Sequence, residues 1–155
     1  NRLYGIKDKN FPTFSTINSS GTVAQCKTAP TCPGGSDLGW YVDLANKQKL
    51  TAEPTIFKDR VYFPIYQPTS GGTGCNTGTA LLTAYNSKCG NSVLNVNVGT
   101  GVLSKVVVQK DNLYIGIAGE AKENIAGFTS KDNLITGKSK AKGGGAISVE
   151  GWKQN

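Results

Sequence analysis

Residues 106–117, which read VVVQKDNLYIGI, have the pattern of a β-hairpin. Two apolar runs rich in β-branched residues flank a polar turn centred on Lys110-Asp111. Such runs on either side of a tight polar turn predict two antiparallel strands. Both runs are almost continuously apolar, so we expect both faces of these strands to be buried. A lone hairpin cannot supply that burial, which predicts packing against neighbouring sheet.

The same pattern occurs earlier, in TIFKDRVYFPI at residues 55–65, with its turn at Lys58-Asp59. The two copies lie 51 to 52 residues apart, a spacing found in β-propellers whose blades have four strands. Shorter echoes begin at residues 1 and 131. Between the copies, LLTAY at 81–85 and VLNVNV at 93–98 predict the second hairpin of the same blade. The alternative is a small β-sandwich with two similar hairpins.

No segment keeps a 3.6-residue apolar period for three turns, so we predict an all-β fold with antiparallel sheets. We expect residues 1–155 to form a single all-β segment without a domain boundary. At about 50 residues per blade the chain supplies about three blades, fewer than closed propellers need. We therefore expect the chain to be part of a larger propeller-like domain. Because the sequence does not begin with Met, we also expect it to be a piece of a longer exported precursor. Its outer strands would expose apolar residues and dock on another polypeptide or on another part of the precursor. Those terminal apolar residues are Leu3, Tyr4, Ile6, Ile147, Val149 and Trp152.

The four cysteines form two sequence-local pairs in turn-rich sequence, Cys26 with Cys32 and Cys75 with Cys89. A zinc site would need CxxC spacings or histidine partners, and the sequence has neither. Disulfides are therefore expected, and with them export to an oxidising compartment. Three pairings are possible, of which the two local bridges are preferred.

The chain carries 17 basic and 10 acidic residues, for a net charge of +7. The only local basic cluster is Lys138, Lys140 and Lys142, which alternate with Ser139 and Ala141 and would share one face of a strand. These lysines are candidate surface-contact residues, although a solvated strand face is the simpler interpretation. No aromatic residue interleaves with them, which disfavours stacking on nucleic-acid bases. Nucleic acid is therefore not a predicted partner, and general attraction to acidic surfaces stays open as an alternative.

Nothing in the sequence predicts an enzyme. Without histidine, neither a Ser-His-Asp nor a Cys-His arrangement can form within the chain. The carboxylates are dispersed, and Asp59, Asp111 and Asp132 occupy the repeated turns, where closing a turn explains them. The glycine-rich loops lack the Lys-Ser/Thr of a phosphate loop. We predict no catalytic, cofactor-binding or metal-binding residues, and no apolar stretch is long enough to span a membrane.

Several blocks, in this order, resemble the C-terminal propeller of PilY/PilC type IV pilus tip adhesins. They are LYGI at 3–6, GWYVDL at 39–44, TAEPTI at 51–56, RVYF at 60–63, QP at 67–68, Cys75, GTALLTAY at 78–85 and ISVEGW at 147–152. Their order across most of the chain carries the resemblance.

The resemblance implies a secreted pilus protein, exported through the periplasm to the cell surface, that supports pilus assembly and cell adhesion. Its partners would be pilus subunits or the upstream part of the same precursor, and a host or abiotic surface. The family's Asp-rich calcium loop has no counterpart here. Calcium therefore belongs at most to a longer parent protein, and we expect no cofactor in this segment. Two alternatives stay open: a quinoprotein-like or glycan-processing propeller fragment with its active site elsewhere, and a structural role in a surface filament.

Overall fold

In the computed structural model of the chain, the structure is described for residues 1–6, 23–25, 39–45, 47–69 and 78–141. Every regular element in these residues is a β-strand, which confirms the predicted all-β class. The strands are β1 Arg2–Ile6, β2 Val23–Gln25, β3 Gly39–Asp43, β4 Lys49–Leu50, β5 Thr55–Phe57, β6 Arg60–Gln67, β7 Thr79–Asn86, β8 Ser92–Leu103, β9 Val107–Gln109, β10 Asn112–Ala121, β11 Phe128–Lys131 and β12 Leu134–Lys138. No helix long and apolar enough to cross a membrane occurs in this part of the chain.

A small sheet contains β1, β3 and β2, with β3 in the middle. β1 and β3 are antiparallel, and Leu3 lies opposite Val42. β2 runs parallel to β3 and adds one parallel pair to an otherwise antiparallel architecture. The predicted strand at residues 39–44 is therefore the central strand of this sheet.

The larger sheet has nine strands, and its first half is the predicted four-stranded unit. β5, β6, β7 and β8 pair in sequence as an antiparallel meander, and β4 adds to β6 beside β5. The first turn lies at residues 58–59, as predicted. The strands on either side of residues 86–91 pair as the predicted second hairpin.

The second half of the large sheet departs from this meander. The second and third turns lie at residues 110–111 and 132–133, but β12 pairs with β10 and leaves β11 at the edge. β8 also pairs with β10 over residues 99–103, which joins the two halves into one sheet. Gly101 permits this crossing, because its φ is 106° and a Cβ there would collide with the Ala118 carbonyl. Within the described residues the sheet does not close, so the propeller and the sandwich both stay predictions.

The two sequence repeats lie side by side, with equivalent positions in contact. Thr51 Oγ1 donates to the Leu103 carbonyl at 3.1 Å, and Thr55 Oγ1 donates to the Val106 carbonyl at 2.6 Å. Lys105 Nζ also donates to Glu53 Oε2 at 2.8 Å. The residues in these pairs are separated by 51 or 52 positions, the spacing of the repeat itself.

Burial of both faces, predicted for the strands of residues 106–117, is found in β6 and not in those strands. Tyr62 packs in the main core with residues of β7, β8, β10 and β12, while Val61, Phe63 and Ile65 face a second cluster. Both faces of β6 are therefore buried. For residues 106–117 the prediction is wrong, because Val107 is 58% exposed and β10 fully buries only the face that carries Leu113, Ile115 and Ile117. Trp40 of β3 belongs to the second cluster, which connects the small sheet to the large one.

Candidate functional site

The turns of the large sheet meet at one end, which we call the basic turn end. Pairing of Arg60 with Asn86 brings the turns at 58–59 and 86–91 together, and pairing of Asn112 with Lys138 brings the turn at 110–111 to the end of β12. The ion pair of Lys58 with Asp111 and the hydrogen bond from Arg60 to the Lys140 carbonyl join these two groups. Its charged residues are Lys58, Asp59, Arg60, Lys88, Lys110, Asp111, Lys138 and Lys140. Six cations against two carboxylates give this end a net charge of +4 of the chain's +7.

The two carboxylates are held by cations of the same end. Lys58 Nζ lies 2.6 Å from Asp111 Oδ1, and Arg60 Nε lies 3.9 Å from Asp59 Oδ1. The remaining four cations are exposed, and no ion pair among the described residues involves them: Lys88, Lys110, Lys138 and Lys140. Unneutralised charges concentrated on one side of a protein attract anionic partners over nanometre distances.

Hydrogen bonds fix the segment that carries Lys138 and Lys140. Ser139 lies between them, its Oγ shares a hydrogen bond of 2.7 Å with the Tyr62 hydroxyl, and its N–H donates to the Asp111 carbonyl at 2.7 Å. Arg60 Nη2 donates to the Lys140 carbonyl at 2.6 Å. The backbone is thus bonded to both repeats, while the two lysines are exposed on either side of Ser139. The third predicted contact residue, Lys142, lies outside the described residues.

Arg60 helps to fix the backbone of the segment that carries Lys138 and Lys140. Its side chain is only 15% exposed, and its Nε and the Asp59 Oδ1 are buried without a hydrogen-bond partner. A guanidinium committed to a neighbouring carboxylate and to a backbone carbonyl is poorly placed to bind a ligand. We therefore assign Arg60 to positioning residues 139–140.

The turn at residues 86–91 holds Lys88 in a comparable way. Asn86 Oδ1 accepts the N–H groups of Lys88 at 2.9 Å and Cys89 at 3.1 Å, and the Ser87 N–H donates to the Asp59 carbonyl at 2.8 Å.

The disulfide pairing itself stays a prediction. The other three cysteines, Cys26, Cys32 and Cys75, lie outside the described residues. Peptide mapping without reduction distinguishes the two local bridges from a crossed pairing.

A shallow depression of about 610 Å³ adjoins the basic turn end on β10, β11 and β12. Its lining residues are Asn112, Tyr114, Gly127, Phe128, Thr129, Thr136, Gly137 and Lys138. Tyr114 is half-buried and lies opposite Thr136, whose Oγ1 shares a hydrogen bond of 2.7 Å with Thr129 Oγ1. Tyr114 was not among the predicted contact residues, because it is 24 positions from Lys138 in sequence. Only the register of β10 with β12 brings the two together.

None of the resolved pKa shifts belongs to a charged residue of the basic turn end. The hydrogen bond from Lys105 lowers the pKa of Glu53, burial raises that of Tyr85, and a hydrogen bond with Asp43 raises that of Arg2. In the described part of the chain, no three His, Cys, Asp or Glu residues form a group that could hold a metal ion. The chemistry that this end offers is electrostatic and hydrogen-bonding contact.

No protein-family model, curated protein or solved structure matches this chain. The resemblance to PilY/PilC adhesins therefore rests on the sequence blocks alone. What that resemblance implies about function, location and partners remains a proposal.

Proposed function

We propose that this chain is a type IV pilus adhesion or assembly module that acts by binding a protein or a surface through its basic turn end. The pilus assignment is supported by the order of the sequence blocks. The mode of action is supported by one observation: four exposed lysines without ion-pair partners, among the described residues, crowd one end of a hydrogen-bonded sheet. Extracellular location and export through the periplasm belong to the same proposal.

A rigid platform favours binding because little conformational freedom is lost when a partner arrives. The segments that carry the lysines are joined by hydrogen bonds from Ser87 to the Asp59 carbonyl and from Ser139 to the Asp111 carbonyl, and by the ion pair of Lys58 with Asp111. Their backbone positions are therefore set before binding, and only the side chains must be ordered. Concentrated charge also raises the association rate with an acidic partner.

The family-like blocks occupy the framework of this platform. GWY lies in β3, RVYF begins β6, and TALLTAY lies in β7. Their large residues are buried, including Trp40, Tyr62 and Leu82. The residues that resemble the family thus form the framework, and the basic turn end contacts the partner.

Pilus association is the direct test. Sheared pilus preparations from the producing organism should contain the protein, and the amount should fall sharply in a strain that cannot assemble pili. An abundant cytosolic protein serves as the contamination control. Recovery of the protein in equal amounts from both strains, or only in the cytosolic fraction, would refute the proposed function.

A further inference from the structure

We infer that the basic turn end and the adjoining depression together bind an acidic polysaccharide whose sugars carry carboxylates. This inference rests on the proposed function in that it names the partner of the same surface. The observation behind it is a juxtaposition: Lys138 belongs to the basic turn end and also lines the depression that contains Tyr114.

Charge selects an anionic partner. Lys110, Lys138 and Lys140 are exposed near one another, since Asn112 pairs with Lys138 and the Ser139 N–H donates to the Asp111 carbonyl at 2.7 Å. Asp111 is engaged by Lys58 at 2.6 Å and neutralises none of these three directly. A polymer with regularly spaced negative charges can contact several of them at once, which multiplies weak contacts.

The depression and the neighbouring strand β9 carry the apolar and hydrogen-bonding groups that a sugar ring needs. Tyr114 and Val107 lie opposite each other on neighbouring strands, and Val107 is largely exposed. Together they offer an aromatic and aliphatic surface for the C–H face of a sugar ring. Asn112 and the hydroxyls of Thr129 and Thr136 stand alongside as donors and acceptors for sugar hydroxyls.

The openness of the surface favours a polymer over a small molecule. Sites for small molecules enclose most of the ligand surface, whereas this depression is shallow and is lined by Lys138 of the basic turn end. Sites for single-stranded nucleic acid stack successive bases on several aromatic rings. Among the residues lining this depression the aromatic ones are Tyr114 and Phe128, and Phe128 is engaged with Gly137.

Binding of four probes to the purified 155-residue chain tests the inference: alginate, uncharged dextran, oligo(dT) and phosphatidylglycerol vesicles. At about 0.15 M salt, where long-range attraction is largely screened, alginate should bind and dextran should not. Oligo(dT) and the vesicles should bind about tenfold more weakly than alginate. Stronger binding of oligo(dT) or vesicles, or no alginate binding, overturns the inference.

Paired variants locate the site. Lys138→Gln with Lys140→Gln should weaken alginate binding about tenfold, while Lys122→Gln with Lys131→Gln removes the same charge from exposed positions elsewhere and should change it less than about twofold. Tyr114→Ala should weaken alginate binding by a further factor of about five. If both double variants weakened alginate binding equally, the binding would depend on the net charge of the protein and not on this site, and the inference would be overturned. Unchanged far-UV spectra and melting temperatures establish that each variant folds.

The outcomes separate the inference from the proposed function. Alginate binding by a protein absent from the pilus fraction would refute the pilus proposal and support the site. A protein present in the pilus fraction that ignores alginate would refute the site alone.

Discussion

Trp40 fits between two glycines. Its side chain is 2% exposed, and its Nε1 donates to the Ser87 carbonyl at 2.9 Å. A Cβ added at Gly5 would collide with the indole ring, and one added at Gly90 would lie 2.5 Å from its Cδ2. Because Gly5 is in β1 and Gly90 is in the turn at residues 86–91, this indole ties the small sheet to the basic turn end.

Gly90→Ala should therefore be strongly destabilising. The φ of Gly90 is +71°, which costs a side-chain-bearing residue about 1–2 kcal/mol, and overpacking against Trp40 adds about 1–3 kcal/mol. Gly127→Ala is the matched control, since its φ is +81° and no atom lies within 4 Å of the added Cβ. Denaturant unfolding measures both. Equal losses in the two variants would show that Trp40 imposes no constraint at Gly90.

Tyr85 should make the free energy of unfolding fall as the pH rises in the alkaline range. Burial against Trp40 and Phe63, with ring centroids at 6.3 and 5.8 Å, accompanies a pKa raised above its ordinary value of 10.0. The folded state then holds this proton more tightly than the unfolded state. The stabilisation is complete below the unfolded pKa and is lost as pH rises through the folded pKa.

Tyr85→Phe should keep the packing and remove this dependence. We expect the free energy of unfolding to fall less between about pH 9 and pH 11 in the variant than in the parent chain. Denaturant titrations at both pH values provide the comparison. An identical fall in both proteins would contradict the assigned role of Tyr85.

The hairpins owe their predictability to local chemistry. The first loop residue has positive φ in each of the three turns, at Lys58, Lys110 and Asp132, with values of 55°, 45° and 52°. Two-residue turns of this primed kind match the twist of the flanking strands. The polar pairs between apolar runs therefore indicated the turns correctly, although lysine is not the usual residue at such a φ.

Contact between the repeats can be tested at Thr55. Thr55→Val preserves shape but removes the donor that reaches the Val106 carbonyl at 2.6 Å. Leaving that carbonyl without its partner should cost about 1–2 kcal/mol. Thr100→Val, at an exposed position of β8, should change stability by less than about 0.5 kcal/mol. A cost at Thr55 no larger than at Thr100 would mean that this bond does not couple the repeats.

Pairings between distant strands were beyond sequence analysis. Residues 131–135 were identified as a partial copy of the repeat with Asp132 in its turn, but the sequence did not predict that β12 would pair with β10 and leave β11 at the edge. That order depends on which apolar faces complete the core around Leu113, Ile115 and Ile135, a property of the whole packing. The same register places Tyr114 beside the lysines, which is why sequence neighbours alone gave an incomplete site.

The lysines of the basic turn end come from distant parts of the sequence and meet only in the folded molecule. Lysines from residue 58 to residue 140 converge because the two halves of the large sheet contact each other, through Lys58 with Asp111 at 2.6 Å and through the Arg60 hydrogen bond to the Lys140 carbonyl at 2.6 Å. The local lysine cluster predicted from sequence contributes Lys138 and Lys140. Lys88 and Lys110 join it only through folding.

The expected docking on another polypeptide stays a prediction. β1 lies at an edge of the small sheet, where Leu3 is buried while Tyr4 and Ile6 are more than half exposed. Exposed apolar residues on an edge strand favour an added strand. The other terminal residues named for this role, Ile147, Val149 and Trp152, lie outside the described residues.

Attachment by the intact organism tests most directly whether the basic turn end is the binding surface. The Lys138→Gln/Lys140→Gln and Lys122→Gln/Lys131→Gln pairs are introduced separately into the chromosomal gene, and pili and cells attached to an alginate-coated surface are counted. We expect the first pair to lower attachment about tenfold with the number of pili unchanged, and the second pair to have little effect. Unchanged attachment in the first strain, or an equal fall in both, would contradict a binding role for the basic turn end.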